Sequence, residues 1–449
     1  LHASLLRSLH RPEEAIEIYR ALIEKHPNIL EVWSNLGNTL RSQARLAESE
    51  QCFRQALQIE PENPTIHTNL GNLLRDQGRL LEAAEAYRVA IQQQPSPESL
   101  TNLGNTLREL GCVEEALRAY DQALALNPHH APSHANRGYL LLLCGDYDRG
   151  LQEYTWRFAA GAAARDFPQP RFHGDCQGTK RLLLWGEQGI GDEIMFLRLL
   201  PAILEKDIEC IVECESRLVG LLARTYQSVQ FVSRSYPANP CLFDRSIDAH
   251  APLGDLMQLF YESQPKPFVS PVLQADAELV RSLRARYQKH PRQLLIGISY
   301  RSGNLSLGRT RSTPLESFTP VFASTDAVFV NLQYGYTAAD RQALAPVHRD
   351  RLLQDESIEP LKDMDGFAAQ VAAMDLVIAI DNSTVHIAGA LNRPTWVLLD
   401  SSPDWRWALH TDRTPWYPSL KLFRQPVRGA WDAVFNRVAT ELQRRSCPL

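Results

Sequence analysis

The sequence predicts an α + α/β protein: a superhelix of paired helices followed by two doubly wound, parallel-sheet domains. Three observations carry this. A short motif recurs at a helix-pair period through the first third, and apolar strand-like runs then alternate with helical periods. The charge balance also changes between the two parts. Residues 1–160 hold 15 Lys+Arg and 20 Asp+Glu, a net of −5 that equals the charge of the whole 449-residue chain; the remainder holds 32 of each sign.

The repeats come first. Asn35-Leu36-Gly37-Asn38, Asn69-Leu70-Gly71-Asn72 and Asn102-Leu103-Gly104-Asn105 recur, with Asn136-Arg137-Gly138 as a weaker fourth copy. The glycines are spaced 34, 33 and 34 residues apart, and an aromatic follows each after 16 residues: Phe53, Tyr87, Tyr120 and Tyr154. Ala56, Ala90 and Ala123 come next, and Pro61, Pro95 and Pro128 close those units. Ala15, Tyr19 and Pro27 match the second half of one more unit. Small residues let two antiparallel helices approach, the aromatic fills the gap, and proline ends the second helix. This is the tetratricopeptide pattern, with roughly four and a half repeats over residues 1–160.

Gly161-Ala162-Ala163-Ala164 and Phe167-Pro168-Gln169-Pro170 read as a linker over 161–179. Strand-like runs follow at Leu182–Trp185, Cys210–Val212, Val229–Val232, Leu294–Ser299, Val328–Leu332, Leu376–Ile380 and Trp396–Leu399. The helical stretch Ala275–His290, ended by Pro291, divides them into domains over 180–290 and 291–430. An amphipathic closing helix and tail occupy 431–449.

Composition excludes some classes of function. A chain with pI near 6.3 lacks the basic footprint of non-specific nucleic-acid binding. No apolar run approaches the ~20 residues that span a bilayer. The eight cysteines lack CxxC pairs or histidines in ligand spacing, so they read as free thiols of a reducing, cytoplasmic compartment rather than a metal site or disulfide framework. The chain begins at Leu1 rather than Met, which leaves room for a removed targeting segment.

Two strand-to-helix junctions could carry chemistry. After the first strand comes Gly186-Glu187-Gln188-Gly189-Ile190-Gly191-Asp192, with a helix expected through Lys206. Glycines there permit a tight turn, and the helix start offers free N–H groups to an anion. Asp192 is either the helix N-cap or a general base at the carboxyl edge of the sheet, where open α/β sheets place their sites. In the second domain, Leu376–Ile380 ends in Asp381-Asn382-Ser383-Thr384-Val385-His386, an acid and a row of small polar residues opening a helix. Such groups suit a diphosphate. Plain capping by Ser383 and Thr384, and a satisfied buried His386, are the simpler alternatives.

On these two motifs the sequence resembles the heptosyltransferase family (glycosyltransferase family 9), over roughly residues 180–445. The family carries Asp-Thr-Gly-x-x-His in its donor site and a Gly-Asp dipeptide after the first acceptor-domain strand. The resemblance implies a GT-B fold of two Rossmann-like domains. It also implies inverting transfer from a nucleotide-diphosphate sugar, with no metal or other cofactor. Gly191-Asp192 would supply the base, with Gln188 and Gly189 in the acceptor-side loop. Asp381, Asn382, Ser383, Thr384 and His386 would cradle the donor. Asn382-Ser383 stands where the family has Thr-Gly, which leaves the donor's sugar and nucleotide open.

Between the motifs, Tyr300-Arg301-Ser302-Gly303 follows a strand and Arg309-Thr310-Arg311 lies close behind. Metal-independent transfer needs fixed cations at the leaving group, a role open to Arg301 or Arg311. Gln333, after another strand on the same edge, is placed to touch the nucleoside. The aromatics Trp405, Trp407, Trp416 and Tyr417 suit packing or sugar stacking.

Asn35, Asn69, Asn102 and Asn136 recur at one position of the first helix in each repeat. A ladder of side-chain amides can both donate to and accept from an extended peptide, although turn stabilisation is the simpler role. The layout is similar to that of the O-linked N-acetylglucosamine transferases. The leading expectation is therefore transfer to a polypeptide held by the repeats. A saccharide or lipid-linked glycan acceptor, and a non-catalytic scaffold with a degenerate transferase, are the alternatives. Repeat arrays also self-associate, so a homodimer is open.

Overall fold

The structure, a computed structural model, describes residues 11–260, 272–290, 293–303 and 308–446. Its chain divides into two compact units. One comprises the repeats to Leu141 with Glu153–Gly161; the other takes Leu142–Gln152 and everything from Ala162.

In the repeat unit, Pro12–Lys25 is followed by the pairs Leu30–Ser42 with Leu46–Ile59, Pro64–Asp76 with Leu80–Gln93, and Pro97–Glu109 with Val113–Leu126. Each of these second helices stops two residues before its proline. The glycines mark where the paired helices touch. A Cβ on Gly37, Gly71 or Gly104 would lie 2.7, 2.6 or 2.5 Å from the ring of Phe53, Tyr87 or Tyr120. The fourth pair, Ala131–Leu143 with Tyr147–Tyr154, departs from the pattern. Gly138 faces the Glu153 Cβ at 2.8 Å rather than Tyr154, whose buried ring instead meets the Arg157 guanidinium.

The α/β unit holds two wholly parallel sheets. The first has the order β3-β2-β1-β4, from β1 Arg181–Trp185, β2 Glu209–Cys214, β3 Gln230–Ser233 and β4 Ala249–Pro252. The second has the order β10-β9-β8-β5-β6-β7. Its strands are β5 Leu295–Ser299, β6 Val328–Asn331, β7 Leu352–Leu353, β8 Leu376–Ile380, β9 Thr395–Leu399 and β10 Leu420–Arg424. Strands β1, β8 and β9 are apolar throughout or nearly so, as sheets covered on both faces require. The second order is the doubly wound one, with its reversal between β5 and β8, and such sheets open their binding crevice at that point. The closing helix Trp431–Ser446 buries Val434, Phe435 and Val438 in this sheet's core beside Phe318 and Trp396.

Two expectations need correction. The segment 161–179 is no loose linker, because Arg171 bridges His250 alongside β4 and Phe167 and Phe172 are buried. Arg165 also reaches the fully buried Glu213. The helix expected through Lys206 breaks into Ile190–Phe196, a 3-10 turn and Leu200–Leu204, as Pro201 cannot continue the ladder. Among the described residues no helix is long and apolar enough to cross a membrane.

Candidate functional site

The glycine-rich loop after β1 is shaped by two adjacent acids pointing different ways. Glu193 turns inward, is almost fully buried, pairs with Arg234 and accepts the Glu215 N–H at 2.8 Å. Gly186 lies against that pair, where a Cβ would run into Glu193 Oε1. Asp192 turns the other way. It is the third helical residue rather than the N-cap, and its Oδ2 accepts the N–H of Gly189, the actual cap, at 3.2 Å. Its Oδ1 receives Nη2 of Arg406, from the loop after β9. Arg406 also donates to Gln188 Oε1 at 3.3 Å and to Asp404.

At the β5/β8 reversal the polar residues are stitched together. Asn382 caps the helix Ser383–Ala390 by accepting the Thr384 N–H at 3.1 Å. Its Nδ2 donates to Ser299 Oγ at 2.7 Å and to the Arg301 carbonyl at 3.2 Å. Ser299 donates in turn to Gln333 Oε1, which also accepts the N–H groups of Tyr300 and Arg301 at 2.9 and 2.7 Å. Gln333 therefore fixes the loop after β5, with its other end on the Tyr334 carbonyl at 2.9 Å. Ser302 N–H rests on Ser312 Oγ at 3.0 Å, and Gly303 is exposed. Ser383 is half-buried, and the buried Thr384 hydroxyl has no hydrogen-bond partner among the described residues.

The arginines lie apart. Arg301 turns towards the β6 side, to Asp340 at 2.8 Å and the Gly335 carbonyl at 3.0 Å. Arg311 stays at the reversal, 2.8 Å from Asp381 and 3.5 Å from Asp404. Burial works against the Arg311 charge, but Asp381, Asp404 and Asp400 outweigh it and raise its pKa. Burial pushes Asp400 up to about 6, with Asp381 adding to the shift and Arg311 opposing it.

His386 connects the two sheets. It is buried, shares a 3.0 Å hydrogen bond with the Tyr417 hydroxyl, and is lowered to about 4 by desolvation. A Cβ on Gly191 would lie 2.6 Å from its ring, so the helices after β1 and β8 meet at this point. The imidazole is thus neutral and packed, 5.4 Å from the Trp407 ring centre. Trp405, Trp407, Trp416 and Tyr417 are all buried, which is the packing role. Arg406 was not singled out by sequence: arginines outnumber lysines 40 to 7. Its signal was position, in a loop after a strand on the edge that carries Asp381.

In the repeats, Asn35, Asn69, Asn102 and Asn136 are all half-buried at equivalent helix positions. Asn69 donates to Ser34 at 3.3 Å and Asn136 to the Pro132 carbonyl at 2.9 Å. The second asparagine of the motif has a structural task that sequence reading missed. Asn72 and Asn105 accept the hydroxyls of Tyr87 and Tyr120, both at 2.7 Å.

Sequence profiles described as tetratricopeptide repeat match residues 1–64, 34–97, 97–130 and 119–152, so the N-terminal part carries these repeats. The chain is 32% identical over 325 residues to protein FlbA of Caulobacter vibrioides. That match covers 68% of this chain and 54% of FlbA, so the chain spans about half the length of this curated relative. At 325 residues the match is longer than the repeat segment and extends into the α/β half. Similar solved structures include MamA, at 16% identity over 35% of this chain and 92% of that one, TM-score 0.32. PilF of Pseudomonas aeruginosa is 18% identical over 46% and 83%, TM-score 0.36.

Proposed function

We propose that the chain is an inverting, metal-independent glycosyltransferase of the GT-B type, moving a sugar from a nucleotide-diphosphate donor to a polypeptide held by the repeats. One observation carries this reading. The helix bearing Asp192 packs, at Gly191 and His386, on the helix that opens at the β5/β8 reversal. A candidate base and a candidate donor crevice therefore converge. The acceptor oxygen attacks the anomeric carbon and the sugar–phosphate bond breaks with its electron pair on the leaving nucleoside diphosphate. The acceptor proton goes to Asp192. The half-buried row Asn35, Asn69, Asn102 and Asn136 supports a peptide acceptor.

Incubating the folded chain with a panel of sugar nucleotides and an unstructured polypeptide should give transfer, and Asp192→Ala should abolish it while donor binding persists. Absence of both transfer and sugar-nucleotide hydrolysis across the panel would sink the reading. Replacing all four asparagines by Ala should raise the polypeptide KM; unchanged kinetics would favour a saccharide or lipid-linked acceptor.

A second reading is a non-catalytic repeat scaffold with a degenerate transferase. It is favoured by the pairing of Arg301, Arg311 and Arg406 with carboxylates, which leaves a diphosphate to compete for each. Calorimetry with nucleoside diphosphates separates the two, because a scaffold binds none.

A further inference from the structure

Five charged side chains form an alternating row across the α/β unit. Asp381 at the end of β8 pairs with Arg311, Arg311 reaches Asp404, Asp404 pairs with Arg406, and Arg406 pairs with Asp192. None is more than 18% exposed. The row runs from the reversal of the second sheet to the helix that follows β1 of the first.

Among these five groups, three carboxylates share two guanidinium groups. Asp404 is divided between both arginines, and Asp192 is held by one arginine at the far end. An anion with several oxygens on adjacent phosphorus atoms competes well for a planar guanidinium, which binds such groups bidentately. A carboxylate left without its cation in a water-poor cleft becomes a better proton acceptor. Of the two arginines, only Arg406 touches the residue that would serve as base.

We propose that Arg406 is the diphosphate-binding cation of this site, and that in the empty cleft it latches Asp192. Donor binding then exchanges the Asp192 carboxylate for the diphosphate, so the base is freed only when there is a sugar to transfer. This rests on the glycosyltransferase reading above. Asp404 and Gln188 are positioning groups that hold the guanidinium beside Asp192 while it waits.

The test is calorimetry on the full chain with UDP, GDP, ADP and inorganic pyrophosphate, each variant checked for wild-type circular dichroism. Asp192→Asn removes the competitor, so it should bind the preferred diphosphate about tenfold more tightly than wild type. Arg406→Gln should weaken binding by about tenfold or more, and Arg406→Lys should fall between, having charge without the planar fork. In the double variant Asp192→Asn/Arg406→Gln the tightening should vanish. A merely structural Asp192 would not produce tighter binding on its removal. Equal affinity in wild type and Asp192→Asn overturns the latch and leaves the transferase reading standing. Binding of no diphosphate by any folded variant overturns both. Should Arg406→Gln not fold, Arg406→Lys carries the comparison, and wild-type affinity in it removes Arg406 as the phosphate ligand.

Discussion

In the repeat unit Arg45 pairs with Glu48 and Arg79 with Glu82 at side chains between 31% and 57% exposed. In the α/β unit Glu213, Glu193 and Asp381 face their arginines at 0%, 1% and 8%. Water screens the first set, so the repeat unit can carry a net charge of −4, from 14 Lys+Arg and 18 Asp+Glu, with little consequence for folding. The second set must be matched locally, because an unpartnered buried charge is costly. Most of the net charge therefore belongs to one unit, and exacting charge placement to the other.

The largest test of that contrast is Glu213→Ala, which removes the fully buried partner of the half-buried Arg165. It should destabilise the α/β unit by ~3–5 kcal/mol. Glu213→Gln should cost less, since burial already pushes this carboxyl up, against the opposing Arg165. Glu48→Ala, its counterpart in the repeats, should leave the unfolding midpoint unchanged. Guanidinium unfolding followed by tryptophan fluorescence reads Glu213→Ala in the α/β unit, where six of the eight tryptophans lie, and far-UV circular dichroism reads Glu48→Ala in the helical repeats. A midpoint shift for Glu48→Ala as large as for Glu213→Ala would erase the contrast.

The next test is acidity. His386 is lowered to about 4 in the fold, so its contribution is complete above its ordinary value of 6.5. It is lost as pH falls from 6.5 towards 4, about 3 kcal/mol in all at 1.36 per unit. Asp400, raised to about 6 from 3.8, has the opposite sign. Its contribution is complete below 3.8 and is lost, by a similar ~3 kcal/mol, as pH rises to 6. Between 4 and 6 the two slopes nearly cancel in the wild-type chain. Asp400→Asn should reveal a stability that rises with pH over this range, and His386→Gln one that falls. Parallel pH profiles for the two variants would remove both groups from the account. The exposed pairs of the repeats should contribute no comparable slope.

How legible each unit was in the sequence follows from the same contrast. Periodicity repeats its evidence: Gly37, Gly71 and Gly104 make the same close approach three times. The fourth copy at Gly138 was legible as a helix pair, but not its packing, since Gly138 meets Glu153 rather than the Tyr154 ring. Seven strands were readable as β-branched or leucine runs. Strand β4 was not, because Ala249-His250-Ala251-Pro252 has no such run and forms by pairing with β1. Strand β7, two residues long, and strand β10, Leu420–Arg424 at the sheet edge, carry too little pattern. In the candidate site, the positions of Asp192 and of Asp381 to His386 were readable because they follow strands. Arg406 was not, since its pairing is with Asp192, 214 positions away.

Smaller effects test the repeats from their own side. Gly104→Ala drives a Cβ into Tyr120, and although alanine favours helix by about 1 kcal/mol, overpacking of ~1–3 kcal/mol should win. The loss should register in far-UV circular dichroism and leave the fluorescence midpoint in place. Tyr120→Phe is gentler: the ring still fills the space beside Gly104, and only the hydroxyl bonded to Asn105 is removed. That should cost about 1 kcal/mol, the worth of one hydrogen bond with its acceptor left partly buried. Phe53 already occupies the equivalent place two repeats earlier without a hydroxyl, which shows that packing decides the position. A Tyr120→Phe loss equal to that of Gly104→Ala would reverse this order. The asparagine–tyrosine bond, rather than the close approach, would then hold the helix pairs together.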